Sequence, residues 1–173
     1  MAKTGDWKKL KNVMKKFDKR IERNSTVALH RSAIQLESMI KERILDGKGM
    51  KPNHPFTIKM KRSSKPLIDN GDLLGSVSHH FIDRHTVAVG VNRRTRSGVN
   101  IAALHEREKG VRIKVTPKMR AWLHGHGLHL KPSTKELFIP GRPFMKPSYN
   151  DFRQKGITKK LFKKAIEKTV KGE

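Results

Sequence analysis

A run of apolar residues at helical spacing is the strongest constraint on how this chain folds. These residues recur every three or four positions near the start of the sequence: Trp7, Leu10, Met14, Phe17 and Ile21. Mostly Lys, Asp and Arg lie between them, which is typical of one face of an amphipathic helix. The pattern weakens at residues 24–26 and resumes as far as Ile44, and Gly47 follows as a helix stop. The spacing predicts a long helix, or two stacked helices, over residues 6–46.

Shorter elements are predicted after a connector at residues 48–77, which is rich in Pro and Gly. Alternating apolar residues predict four strands, over residues 76–83, 85–92, 111–116 and 136–140. Capping and stop residues predict helices over 101–109, 117–127 and 149–173. The fold class is therefore α+β, with a small, mostly antiparallel β-sheet flanked by a long N-terminal helix and a C-terminal helix.

One domain is expected, divided into the N-terminal helix at 1–48, an α+β core at 49–148 and the C-terminal helix at 149–173. Only 35% of the residues are hydrophobic, so the core should be small, and partner subunits are expected to finish burying the surface. The formal net charge of +25 favours a polyanion or an acidic protein as a partner.

Several classes of protein are disfavoured by what the sequence lacks. Cysteine is absent, which excludes disulfides, thiolate nucleophiles and cysteine zinc sites. No apolar run approaches the ~20 residues of a membrane span, and the N-terminus lacks a signal-peptide core. We therefore expect a protein made in the cytoplasm, with no membrane partner.

Candidate catalytic and metal-binding residues are few. His124, His126 and His129 lie within six residues, so they can either bind a metal ion or form a polar loop after a helix. His105 and Glu106 can act as an acid–base pair, but no nucleophile or orienting third group accompanies them. No phosphate-binding loop or dinucleotide motif is present. We expect neither enzyme activity nor a cofactor.

Contacts with nucleic acid are expected to be independent of sequence. Arg93, Arg94 and Arg96 form a basic loop that can touch DNA phosphates. The chain has only two Trp and one Tyr, too few for an aromatic platform on which bases stack.

Two turn-rich segments are the remaining candidates for an interaction or structural site. In "PLIDNGDL", Asp69 and Asp72 flank the Asn70-Gly71 turn, and capping of that turn explains both carboxylates. In "IPGRPFM", Pro140 and Pro143 fix the backbone around Arg142 and Phe144. The guanidinium of Arg142 is expected to bind carbonyls or a carboxylate.

Four segments together resemble the phage virion morphogenesis, or tail completion, family of tailed bacteriophages and Mu-like prophages. They are "KPLIDNGDLLGSV", "VAVGVN", "ALHEREKG" with "KMRAWLHGHGLHLK", and "IPGRPFM", and the resemblance spans roughly residues 52–150. The family pattern has a "P-L-I-D-T-G-x-L" turn, a hairpin, a short helix with a central His and a closing "I-P-A/G-R-P-F". Asn70 stands where that pattern often has Thr, within the turn.

The resemblance implies a structural virion protein at the neck, in a ring around the DNA path, and not an enzyme. Its expected partners are further copies of itself, a tail terminator or tail tube protein, and a connector, adaptor or portal protein. A hexameric ring is favoured, and a dodecamer is possible because the neck joins rings of different symmetry. Packaged double-stranded DNA is a further expected partner, bound non-specifically.

Two other hypotheses remain open on the residues alone. The charge favours a non-specific nucleic-acid-binding protein or a small nuclease of a mobile element. The weaker one is a metal protein built on the three clustered histidines.

Overall fold

The computed structural model describes residues 5–61, 63–95 and 98–173. The backbone contacts divide the chain into two compact units. Unit 1 consists of Met1–Ser38, His79–Val89 and Asn150–Glu173, and unit 2 consists of Met39–Ser78 and Gly90–Tyr149. Whether the chain acts as the single domain expected from its length stays a prediction.

The predicted α+β class is confirmed. The helices are α1 (Trp7–Asp46), α2 (Pro55–Lys61), α3 (Asp72–Gly75), α4 (Ile101–His105), α5 (Pro117–Gly125), α6 (Met145–Gln154) and α7 (Ile157–Lys171). The strands are β1 (Val77–Asp83), β2 (Thr86–Val91), β3 (Val111–Lys114) and β4 (Glu136–Ile139). The long N-terminal helix is one continuous element, and the Asp6 carboxylate accepts a hydrogen bond from the backbone N–H of Lys9 at its start (3.0 Å).

The strands form two antiparallel pairs instead of one continuous sheet. β1 pairs with β2 across a tight turn, and β3 pairs with β4 in a register that runs from Val111 opposite Ile139 to Lys114 opposite Glu136. Alternation of apolar residues identifies a strand but not its neighbour, so the sequence predicted the strands without their division into two pairs.

Helix α2 lies inside the stretch that the sequence predicted to be a connector. Pro55 occupies its first position, where a missing N–H costs nothing and the fixed φ suits a helix. The ring nitrogen Nδ1 of His54 accepts a hydrogen bond from the backbone N–H of Phe56 (3.2 Å). Prolines were the reason for expecting a connector here, but one of them, Pro55, is the first residue of a helix.

The C-terminal helix expected over residues 149–173 is two helices, and the first begins earlier than expected. α6 starts at Met145, and a break at Gly156, which has φ 60°, separates it from α7. Glycine adopts this left-handed conformation without the clash that a Cβ atom causes.

Unit 1 contains a close contact between α1 and α7. Ala28 of α1 and Ala165 of α7 are buried, and their small side chains allow helices to approach closely. The Asn24 side-chain amide donates to the hydroxyl of Thr169 (2.9 Å) and to the carbonyl of Glu173 (3.1 Å). Thr169 is itself buried, so a satisfied polar pair fixes the register of these two helices.

Unit 2 has a small apolar core in which Phe144, Ile40, Ile44 and Val77 are almost fully buried. Phe144 belongs to the "IPGRPF" segment, so the phenylalanine of that motif is a core residue. Within the described residues, no helix is long and apolar enough to cross a membrane.

Gly141 lies where two segments of unit 2 approach most closely. A Cβ atom at this position would stand 2.0 Å from the carbonyl oxygen of Arg107 and 2.9 Å from that of Glu108. Real Cβ atoms do not come this close to backbone oxygen, so only glycine fits without a shift of the backbone.

We predict that Gly141→Ala lowers the free energy of unfolding by roughly 1–3 kcal/mol, the usual range for overpacking a rigid site. Gly125→Ala is the matched control, because a Cβ atom there meets nothing within 4 Å and alanine favours the helix. Urea denaturation of the three proteins measures both effects. Equal midpoints for Gly141→Ala and the unmodified protein would show that the close approach is absent.

Candidate functional site

The two turn-rich segments meet at a cavity of about 290 Å³ in unit 2. The charged and titratable groups that line it are Lys61, Asp69, Asp72, Arg93, His105 and Arg142. Three leucine or isoleucine side chains, Leu67, Leu73 and Ile101, form part of its wall. The cavity therefore combines residues from α2, from the "PLIDNGDL" turn, from α4 and from "IPGRPF".

Arg142 ties three segments of unit 2 together. Its side chain is only 9% exposed. Nε donates to the carbonyl oxygen of Lys51 (2.8 Å) and Nη2 donates to that of Pro52 (3.0 Å). Its backbone N–H donates to the carbonyl oxygen of His105 (2.9 Å). The planar guanidinium fits two neighbouring carbonyls, an arrangement that a lysine ammonium cannot copy.

Glu106 holds the start of α6. One carboxylate oxygen accepts hydrogen bonds from the backbone N–H groups of Phe144 and Met145, both at 2.7 Å. The other accepts from the N–H of Lys146 (3.2 Å). These are N–H groups that the first turn of a helix leaves without a partner, and the helix dipole favours a negative charge there. The carboxylate is thus a structural cap that comes from another part of unit 2.

A strained residue borders the cavity. Leu67 has φ 60°, a left-handed conformation that costs a non-glycine residue about 1–2 kcal/mol. Just before Leu67 in the chain, the carbonyl oxygens of Ser64 (3.2 Å) and Lys65 (3.0 Å) accept hydrogen bonds from the buried Asn53 side chain. Strain held in place by such surroundings is common at functional sites.

His105 lies at the cavity with one ring nitrogen unused. Its Nδ1 atom is buried and has no hydrogen-bond partner among the described residues. Burial lowers the pKa of His105, and the neighbouring Arg142 cation lowers it further, while Glu106 and the Pro140 carbonyl act in the opposite direction. The ring therefore favours its neutral form.

The remaining charges at the cavity are partly paired. Nη2 of Arg93 lies 2.5 Å from a carboxylate oxygen of Asp72. Burial lowers the pKa of Lys61, the Asp69 carboxylate opposes that change, and Arg142 adds to it. Burial also lowers the pKa of Arg142.

The residues predicted from the sequence fall into different roles. Gly71 has φ 84° and immediately precedes α3. Arg94 donates from Nη1 to the carbonyl oxygen of Gly98 (2.9 Å). Pro143 is half-buried beside the core residue Phe144. Arg96 lies outside the described residues, and a contact of the basic loop with DNA stays a prediction.

The three clustered histidines do not converge on one point. The rings of His124 and His129 pack edge to face with centroids 4.4 Å apart. His126 instead stacks on Trp122 at 4.2 Å, and its Nδ1 lies 2.7 Å from the Trp122 carbonyl oxygen. Within the described ranges, no group of three or more His, Asp or Glu side chains is arranged to hold a metal ion.

Sequence reasoning missed Lys61 and Asn53 altogether, and it considered Glu106 only as a partner of His105 in acid–base chemistry. Glu106 reaches a helix that begins 39 residues later, so no local capping pattern signals it. The Asn between two prolines in "KPNHP" was the available clue for Asn53, since asparagine side chains often bond to nearby backbone.

Comparisons with protein-family models, curated proteins and solved structures find no match to this chain. In unit 2, the segment of residues 139–145 forms a rigid corner beside the polar cavity, held by the hydrogen bonds of Arg142 and Glu106. Its charged side chains bind backbone groups or one another, an arrangement suited to holding a surface in shape.

The lowered pKa of His105 predicts a specific pH dependence of stability. The unfolded chain takes up a proton near the ordinary pKa of 6.5, whereas the folded chain resists protonation to lower pH. The contribution of this group to stability is therefore fully present above pH 6.5 and is lost as the pH falls below it.

We expect His105→Gln to lose less stability than the unmodified protein between pH 7.5 and 5, because the variant lacks this group. The slopes of the free energy of unfolding against pH should differ between the two proteins by at most about 1.4 kcal/mol per pH unit, the value for one bound proton. Urea denaturation at several pH values measures it, and an NMR titration of the His105 ring gives an independent check. Parallel curves for the two proteins would contradict the expectation.

Proposed function

We propose that this chain is a structural virion protein of a tailed bacteriophage, a tail completion or neck protein that joins the tail to the head connector. It acts without catalysis and assembles with copies of itself as a ring around the DNA path. The resemblance of its turn-rich segments to the tail completion family supports the virion role. An exposed apolar helix face supports the assembly role.

That face lies at the start of α1, in unit 1. The side chains of Trp7, Leu10 and Met14 are 70%, 51% and 53% exposed, although they follow one another at helical spacing. Further along the same helix, Ala28, Ala33 and Ile40 are buried. A contiguous apolar stripe left in water on a soluble subunit is typical of an interface with another protein chain. This is the observation that carries the proposed assembly.

The proposed partners follow from this role. They are further copies of the chain, as a hexamer or a dodecamer, together with a tail terminator or tail tube protein and a connector, adaptor or portal protein. The protein would reside in the host cytoplasm during assembly and then in the neck of the virion. A ring closes only when each subunit offers two complementary faces, so the apolar stripe would supply one of them.

A second candidate role is sequence-independent contact with packaged double-stranded DNA. A groove of about 770 Å³ beside β3 and β4 is lined by Arg112, Lys114 and Lys135. Arg112 has a carboxylate of Glu136 3.9 Å away, and both groups are exposed, so that pairing is weak. Such a groove favours phosphates by charge alone, and raised salt would weaken the contact.

We expect the purified protein to form a defined oligomer, and Leu10→Asp to weaken its self-association about tenfold or more. Burying one leucine stabilises an interface by roughly 1.5–3 kcal/mol, and 1.4 kcal/mol corresponds to a factor of ten. Asn12→Asp is the matched control, because it adds the same charge on the opposite face of α1. Size-exclusion chromatography with light scattering gives the mass, and negative-stain images show whether rings form. A monomer at every concentration, without tails present, would contradict self-assembly.

The nuclease alternative is tested with supercoiled plasmid and Mg²⁺. We expect no cleavage by the purified protein, because no group of three or more His, Asp or Glu side chains among the described residues is arranged to hold a cation. Mg²⁺-dependent nicking that Asp72→Asn abolishes would overturn the structural role in favour of an enzyme.

A further inference from the structure

Arg142 is a buried cation for which the described part of the chain supplies no ion pair. Its two hydrogen-bonded partners, the carbonyls of Lys51 and Pro52, satisfy N–H groups but carry no net charge. No carboxylate of the described residues lies at ion-pair distance from its guanidinium. A buried charge without a counter-charge is costly, so the surroundings of Arg142 favour an added anion.

The other charges at the cavity do not supply that anion. Among the described residues, the lining contains three cations, Lys61, Arg93 and Arg142, against two carboxylates, Asp69 and Asp72. Arg93 and Asp72 are paired at 2.5 Å. Asp69 favours the charged form of Lys61, whereas Arg142 disfavours it. One positive charge therefore remains at the cavity after these two pairings.

His105 adds a second requirement. The buried Nδ1 atom of its ring has no hydrogen-bond partner in the described ranges. A buried ring nitrogen without a partner is costly, so it favours a hydrogen-bonding group on a ligand. A ligand that completes the site must bring a negative charge for Arg142 and a hydrogen-bonding group for His105.

We infer that this cavity binds an acidic side chain of a partner protein, with the carboxylate beside Arg142 and a peptide group of the partner near His105. The volume of about 290 Å³ suits one side chain and its backbone. Leu67, Leu73 and Ile101 offer apolar wall to the methylene groups of a glutamate. A carboxylate carries the single charge that the cavity lacks, whereas a doubly charged phosphate would also meet the carboxylates of Asp69 and Asp72.

This inference goes beyond the proposed virion role and does not rest on it, because the cavity lies within unit 2 of a single chain. It specifies the chemistry of the partner surface, which is an exposed glutamate or aspartate. The net charge of +25 gives the whole molecule a long-range attraction for such a surface.

The probe is a blocked tripeptide, acetyl-Gly-Glu-Gly-amide, titrated into the full-length protein and followed by NMR. The His105 ring and the Arg142 Nε–H report from inside the cavity. We expect both resonances to shift and to saturate with the glutamate peptide, and to respond at least tenfold more weakly to the glutamine analogue. Inorganic phosphate, titrated separately, tests the competing anion.

Lys61→Gln tests the site without removing the buried arginine. We expect a several-fold weaker affinity for the glutamate peptide, because Lys61 lines the cavity. Lys59→Gln, in the same helix and outside the lining, is the matched control and keeps the original affinity. Arg142→Gln should abolish saturable binding of the glutamate peptide. If that variant fails to fold, the affinities of Lys61→Gln and Lys59→Gln for the peptide decide whether the cavity is the binding site.

Three outcomes would overturn the inference. One is an equal response to the glutamate and glutamine peptides. Another is an equal loss of affinity in Lys61→Gln and Lys59→Gln, which would indicate a general attraction of anions to a basic protein. The third is tighter binding of phosphate than of the glutamate peptide with the same shifted resonances, which would make this a phosphate site.

Discussion

The hydrogen bonds that Arg142 and Glu106 make to backbone groups hold unit 2 together. Arg142 joins the backbone before α2 to the segment after β4, and Glu106 caps the first turn of α6. Both side chains make these hydrogen bonds to peptide groups, which are fixed dipoles that do not need to reorganise. Gly141 lies between the two and lets the segments approach within the space that a side chain would fill. The core position of Phe144 follows from this corner.

The sequence predicted the regular elements well where one physical signal dominated. A single apolar period set the bounds of α1, and alternation identified the four strands. The misses arose where two signals competed. The Pro-rich stretch at residues 48–77 was predicted to be a connector although Pro55 starts α2 within it. Helix α6 begins earlier than expected because a remote carboxylate caps it. The pairing of β3 with β4, which are separated in sequence by α5, also depends on distant residues, which a local pattern does not contain.

The candidate site was predictable only in part. Asp69, Gly71, Arg142 and Phe144 were chosen from turn chemistry and from the family resemblance, and three of them lie at the cavity or in the adjacent core. Lys61 was missed because a lysine in a basic helix resembles any solvated lysine until its burial is known. That the Nδ1 atom of His105 is buried without a hydrogen-bond partner depends on packing, so no sequence pattern predicts it.

Because Arg142 and Glu106 bind backbone groups, the corner does not require particular side chains at the positions whose backbone they bind. Any residue except proline offers the N–H that Glu106 binds at positions 145 and 146, and every residue offers the carbonyl that Arg142 binds at positions 51 and 52. Substitutions can therefore accumulate at these four positions while Arg142, Glu106 and Gly141 stay fixed. Sequences that share such a corner can drift far apart and still keep its geometry, leaving only a few short matching stretches as signs of common ancestry.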